Sequence, residues 1–134
     1  MHKTKIVTTF LTNSDKILLL KRSQKVKSMK NLWAGISGII EGDEKPLNRA
    51  KIEIYEEVGM EESNIKLIKE GDVILIESPQ YENHQWEVYP FLFSCHNRDI
   101  KLNWENSDSK WISVNELNEF TTVPSLDKVL TRLF

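Results

Sequence analysis

Three carboxylates crowd the stretch "KIEIYEEVGM": Glu53, Glu56 and Glu57. Spaced three and one apart, they share one side of a helix, because side chains at i, i+3 and i+4 stack. Two kinds of chemistry suit that spacing. A glutamate-rich stripe is the ordinary solvated face of a surface helix. Carboxylates gathered beside a glycine-bearing loop also suit a hard divalent cation, which takes oxygen donors and shares them with substrate phosphates. At about 100° per residue, with Glu53 at zero, Glu56 falls at roughly −60° and Glu57 at roughly +40°. Ala50, Ile54, Leu47 and Val58 make the adjoining apolar stripe, so the carboxylates border the core. Like charges at these spacings repel by a few tenths of a kcal/mol, roughly, and the nearby compensation is Arg49, at roughly −40°.

The elements that hold this cluster follow from the pattern on either side. Pro46 to Val58 reads as a helix, with Asp43 or Glu44 as cap, proline in the first turn and Gly59 as the stop. Before it, "QKVKSMKNLWAGISGIIEGDEKP" reads mostly as loop, basic at first and then punctuated by glycine. Further upstream, Asn13-Ser14-Asp15 separates two β-rich runs, predicting a hairpin of Lys5–Thr12 with Lys16–Lys21. "IKLIKEGDVILIES" and "HQWEVYPFLFSCHN" are strand-like, the second central because it is apolar on both faces. "SKWISVNELNEF" is a short strand and a helix start, and Leu126, Val129, Leu130 and Leu133 mark a C-terminal amphipathic helix. The expectation is one mixed α/β (α+β) domain over residues 1–134.

Bulk properties narrow the partners. The 134 residues suffice for one domain with a proper core. A net charge of −2 gives no electrostatic case for a nucleic-acid or membrane partner. Cys95 is the sole cysteine, so no internal disulfide and no cysteine-based zinc site can form; it reads as a small buried hydrophobe. The opening "MHKTKIVTTF" has no signal-peptide pattern and no apolar run is long enough to span a bilayer, which predicts a cytoplasmic location. If the chain self-associates, a homodimer is the expectation.

From Gly38 the chain reads "GIIEGDEKPLNRAKIEIYEEVGM". This resembles the Nudix box: glycine, five residues, glutamate, seven residues, arginine-glutamate, a hydrophobic residue, any residue, two glutamates, any residue, glycine and a hydrophobic residue. Gly38, Glu44, Glu53, Ile54, Glu56, Glu57, Gly59 and Met60 fall in register; the arginine position alone departs, and holds Ile52. The flanks "ILLLKRS", "NLWAGISGIIEGDE" and "KWISVNEL" resemble the family's neighbouring segments. The resemblance implies a mixed sheet sandwiched between helices, with the box as loop-helix-loop. It also implies hydrolysis of a nucleoside diphosphate linked to another group, using Mg²⁺ or Mn²⁺. Carried over, Glu53, Glu56 and Glu57 would ligate metal, with Glu53 first and Glu56 next as the base that deprotonates water. A carbonyl of the Ser37–Gly38 loop and the late Glu105, shortly before Trp111, are further candidate ligands. Gly38, Glu44 and Gly59 would be structural.

Isoleucine at position 52 has no donor with which to orient a carboxylate, and it lies outside the core stripe. Arg49, one turn before Glu53, is the expected replacement; the contrary reading is a decayed site that binds a nucleotide without cleaving it. The compact chain suits a (deoxy)nucleoside triphosphate pyrophosphohydrolase of the nucleotide-sanitising type, with ADP-ribose or a nucleotide sugar as the alternative substrate class. Pro79 and Tyr81 come late for the substrate-marking positions known in such families. Lys21 and Arg22 end a strand leading toward the box, where they would meet phosphate or simply be solvated. Trp33, Tyr81, His84 and Trp86 are each a base-stacking candidate or a core or rim side chain. Strand alternation sends Trp86 and Val88 to one face and Glu87 and Tyr89 to the other. A glutamate inside a central strand needs a partner or a wet cavity, which makes Glu87 a substrate-binding candidate ahead of Glu82. His84 and His96 have no zinc-like context.

Overall fold

The structure, a computed structural model, describes residues 2–77 and 82–134. Two strands organise it. β1 (His2–Asn13) and β7 (His84–Cys95) run parallel along almost their whole length, from His2 opposite His84 to Thr12 opposite Ser94. β7 alternates between two cores, as its doubly apolar sequence requires: Phe91, Phe93 and Cys95 enter one, Val88 and Leu92 the other. β5 (Ile65–Glu70) and β6 (Ile74–Glu77) pair antiparallel with the two ends of β7, keeping it central.

On its other edge β1 is shared. Its end turns through Ser14 and Asp15, both with positive φ, into β2 (Lys16–Arg22), while Ile6–Thr9 pair with β4 (Ile36–Ile39). Positive φ at both central residues is the two-residue hairpin geometry that twists with the strands. β2 also carries β3 (Trp33–Ala34) and β8 (Asn106–Ile112). The stretch expected to be loop before the helix thus contains two short strands. Their few residues are interrupted by Gly35, and pairing with β1 and β2, not local pattern, makes them strands.

α1 (Pro46–Val58) has the expected limits. Pro46 occupies its first turn, and Gly59 ends it at φ 76°, its amide bonded to the Tyr55 carbonyl at 3.0 Å. The cap differs from expectation. Lys45 is the N-cap and no side chain caps it; Glu44 accepts from the Glu41 amide at 2.7 Å and turns the rest of its carboxylate to Arg49. Ala50, Ile54 and Val58 pack on one face of the sheet with Val7, Leu11 and Phe93. α2 (Leu126–Thr131) and the 3₁₀ turn Val114–Glu119 cover the other, with Leu126, Val129 and Leu130 against Phe10, Leu19 and Leu92. Helical elements on both faces of a mixed sheet make the sandwich that the resemblance implies. Among the described residues no helix is long and apolar enough to cross a membrane.

Candidate functional site

The hairpin expected over Lys5–Thr12 and Lys16–Lys21 pairs only beside its turn, at Thr12 and Asn13, because β4 takes the β1 edge at Ile6–Thr9; a cleft of about 670 Å³ opens where β2 and β4 part. Its two ends differ in chemistry. Glu53, Glu56, Glu105, Arg22 and Arg49 surround one end; Ile76, Trp86, Val88, Val123 and Leu126 line the other.

The charged end is assembled by one side of α1, from Arg49 in its first turn to Glu56 in its last, and by the strand ends facing it. Glu53 is only 7% exposed yet reaches the cleft, because β4 passes it as bare backbone at Gly38. A Cβ built on Gly38 would overlap the Glu53 carboxyl carbon, so only glycine leaves room. Arg49, one turn earlier, donates from Nη1 to Glu53 Oε2 at 2.9 Å, and from Nη2 and Nε to Glu44 at 2.6 and 3.0 Å. This fork spans the two carboxylates with the bidentate geometry that arginine suits. Arg49 is thereby held strongly protonated, while its hydrogen bonds keep the Glu44 carboxyl below the usual range. Ile52 contacts neither carboxylate through a polar atom and stands 40% exposed on the outer side of the helix.

Glu57 lies behind Glu53, 4% exposed, and does not line the cleft. Asn106 Nδ2, at the start of β8, donates to its Oε1 at 3.1 Å, whereas Oε2 has no hydrogen-bond partner among the described residues. Burial pushes the Glu57 carboxyl well above its usual range, against the Asn106 bond and a smaller contribution from the Ser37 backbone, and with repulsion from Glu105 and Glu53 adding to it. Burial likewise raises Glu53; the Arg49 bond opposes this, and the charges of Glu56 and Glu105 reinforce it. A buried carboxylate oxygen with no donor, among acidic neighbours, is what a cation would satisfy, and all these donors are hard oxygens. Among the described residues no three metal-binding side chains yet converge on one point. The reason is visible: Glu53 is drawn to Arg49 and Glu57 to Asn106.

Arg22 ends β2 at the same place. Its Nε and Nη2 donate to the Ser28 carbonyl at 3.3 and 3.1 Å, and burial lowers its affinity for the proton, countered by the charges of Glu57 and Glu105. Glu105 sits in the turn before β8, its Oε1 accepting from Asn103 at 3.3 Å. Of the stacking candidates Trp86 lines the apolar end, with His84 edge-on to it at 4.8 Å. Trp33 instead packs edge-on to Phe120 in the core, His96 is exposed, and Pro79 and Tyr81 lie outside the described residues.

Glu87 is a correction. It shares the α1 side of β7 with Tyr89, opposite to the face on which Trp86 and Val88 line the cleft. Tyr89 donates to its carboxylate at 2.7 Å and Lys5 lies 3.9 Å away, so the partner that a glutamate in a central strand requires is supplied locally. Alternation separated the two faces correctly but could not say which of them the cleft uses. Asn106 was missed outright: it is a neutral side chain far from the box in sequence, and only its adjacency to Glu105 could have drawn notice.

Comparison with known proteins places this geometry. The description "NUDIX domain" matches residues 2–133. An RNA pyrophosphohydrolase of Bartonella clarridgeiae is 29% identical over 102 residues, covering 74% of this chain and 51% of that protein, so the chain spans about half the length of this curated relative. The Ap4A hydrolase of C. elegans superposes with a TM-score of 0.75 at 16% identity, over 99% of this chain and 95% of that one. The MutT protein of Methanosarcina mazei Go1 does so with a TM-score of 0.76 at 20% identity, over 98% and 92%. The solved structures share the fold, and the domain match running from residue 2 to residue 133 shows that the chain belongs to the NUDIX family.

Proposed function

We propose that the protein hydrolyses a phosphoric anhydride bond of a nucleotide, a nucleoside triphosphate being the simplest substrate, with Mg²⁺ or Mn²⁺ as cofactor. The observation that carries this reading is the polarity of the cleft: carboxylates and two arginines at one end, an apolar slot with Trp86 at the other. A phosphate chain fits the first and a base the second. The names of similar proteins, an RNA pyrophosphohydrolase and an Ap4A hydrolase, agree with anhydride chemistry.

Glu53, Glu56, Glu57 and Glu105 would hold the divalent ion. When bound, the ion would neutralise phosphate charge and acidify water. The residues of the chain do the rest. Arg22, which lines the cleft and is within the electrostatic reach of Glu57 and Glu105, would take a phosphate oxygen. Arg49 fixes Glu53 through Oε2, leaving Oε1 to accept a proton from the attacking water. The water oxygen bonds to phosphorus, the bridging P–O bond breaks, and the leaving phosphate takes its electron pair. Burial that raises the Glu53 carboxyl makes it a better base than a solvated glutamate.

Product identification tests the proposal. With Mg²⁺ and a panel of nucleoside triphosphates, ADP-ribose and nucleotide sugars, the expected products from a triphosphate are a nucleoside monophosphate and pyrophosphate. Absence of any phosphorus-containing product across the panel, with either metal, would overturn it.

A further inference from the structure

The cleft changes chemistry in its middle, and two hydroxyls stand there that the reaction leaves unused. β1 and β4 pair with Thr8 opposite Ser37 and Ile6 opposite Ile39, and all four residues line the cleft as two successive rungs. The rungs lie about 6.6 Å apart, two residues of strand. Next to Ser37, Gly38 lies against Glu53 and opens the carboxylate end. Next to Ile6 the register leads the other way, with Val88 beside Ile6 and Trp86 beside Thr4. The rung of Thr8 and Ser37 therefore separates the phosphate end from the base end.

Thr8 is 5% exposed, and its orientation is set. Its methyl lies on the Gly35 side, where a side chain at that position would come within 3.3 Å of it, and its hydroxyl turns to Ser37. The branched Cβ of threonine holds such an arrangement, because χ1 has few free positions. The two hydroxyl oxygens are 3.3 Å apart, longer than the ordinary O–H···O distance of about 2.7–2.8 Å. Each hydroxyl carries one proton and two lone pairs. Their contact uses one of the two protons, and neither hydroxyl has another hydrogen bond among the described residues. Cross-strand pairs of this kind also serve simply to join strands. A pair with that role alone would close to the ordinary distance, whereas this one keeps a donor and acceptor positions for a third group.

We propose that Thr8 and Ser37 form the sugar subsite of the cleft, where one ribose hydroxyl accepts from one of them and donates to the other. The inference rests on the hydrolytic reading above and sharpens its substrate. In a nucleotide the sugar joins the phosphates to the base, and its free hydroxyls are neutral groups with the same donor and acceptor capacity as the pair. A site built to hydrogen-bond a hydroxyl discriminates against the analogue that lacks it, because its own polar groups are then left unpaired. The two residues thus make the cleft selective for the sugar.

The test uses the full chain with Mg²⁺ and three substrates: ATP, 2′-deoxyATP and 3′-deoxyATP. The wild type should cleave ATP with kcat/KM about tenfold above that for one of the deoxy analogues, the yield of two neutral hydrogen bonds of ordinary strength. Thr8→Val and Ser37→Ala should each reduce that ratio to about threefold. Thr8→Ser, which keeps the hydroxyl, should retain most of it. The analogue affected identifies the sugar hydroxyl: loss at 2′ marks a cleft that selects ribonucleotides, and loss at 3′ one that accepts either sugar. A ratio near one for both analogues in the wild type, or a ratio unchanged by Ser37→Ala, would overturn the subsite while leaving hydrolysis intact, whether or not the buried Thr8→Val variant folds. If none of the three is cleaved, the hydrolytic reading falls and calorimetric titration with the same nucleotides decides the subsite separately. Binding about tenfold weaker for one deoxy analogue, with the gap narrowed by Ser37→Ala, supports it. Equal affinities, or no binding, refute it.

Discussion

Replacing Arg49 with alanine should destabilise the protein and impair turnover together, because one side chain satisfies two carboxylates. The fork consists of contacts at 2.6 and 3.0 Å to Glu44 and 2.9 Å to Glu53, with the arginine side chain 14% exposed and the Glu53 side chain 9%. A hydrogen bond to a charged group contributes about 1.5–3 kcal/mol. Removing one partner of a desolvated pair leaves an uncompensated charge, which costs more than the bond itself. The cleft is open to water at this end, so the Glu53 contact is set at about 2 kcal/mol, near the low end of those ranges. At about 3–4 °C per kcal/mol for a chain of this size, Arg49→Ala should lower Tm by about 6–8 °C. Glu53→Gln in the Arg49→Ala background should recover part of the loss, since a neutral amide no longer needs the cation. Ile52→Arg supplies a sharper check. In the wild-type background it should move Tm by less than about 2 °C, because the position is half-exposed and Glu53 already has its cation. In the Arg49→Ala background it should restore stability and turnover, if a guanidinium at either helical position can orient Glu53. Thermal melts of the four combinations, with kcat measured alongside, give the coupling directly. Additive effects of Arg49→Ala and Ile52→Arg, or a Tm unchanged by Arg49→Ala, would refute the reasoning.

Gly38→Ala should cost about 1–3 kcal/mol and reduce kcat at least tenfold, since the new methyl occupies the volume of the Glu53 carboxyl group; melts and steady-state kinetics measure both. Glu57 and Glu53 bind protons more readily folded than unfolded, so between the ordinary carboxylate pKa of 4.5 and their raised folded values, stability falls as pH rises. In chelator at pH 7.5, Glu57→Gln should therefore melt higher than wild type, with the advantage shrinking toward pH 4.5, and Mg²⁺ should stabilise wild type more than the variant. A Glu57→Gln protein no more stable than wild type at pH 7.5 would contradict the burial argument. Glu87→Gln should leave kcat/KM within about twofold of wild type, because the carboxylate belongs to the Tyr89 side of the sheet.

Much of this was legible in the chain because helices encode their geometry in spacing. Pro46 and Gly59 bracket α1, and a projection at about 100° per residue set Glu53 and Glu57 against the apolar stripe and Arg49 beside them. The distance from Arg49 to Glu53 is a local property, and the sequence contains it. β3 and β4 are different. Four residues or fewer, broken by glycine, carry too little period to announce a strand, and they become strands only by lying on β1 and β2. Glu87 failed for a related reason: period-2 alternation yields two faces, and the choice between them is made by where β2 and β4 part.

The deepest unreadable feature is the pairing of Glu57 with Asn106. Nothing in "EEVGM" distinguishes Glu57 from Glu56, yet the fold buries the first and leaves the second on the cleft. Helical phase accounts for part of this, since Glu57 lies nearer the core stripe. Tertiary placement supplies the rest, because β8 returns beside β2 and brings an amide to one oxygen of Glu57, while the other has no hydrogen-bond partner among the described residues. A carboxylate satisfied by half is unfavourable in a protein that only has to fold. A cation held between this oxygen and the carboxylates of Glu53 and Glu105 would supply such a partner, so under the proposed function the same burial that disfavours the Glu57 carboxylate on folding would favour binding of the ion.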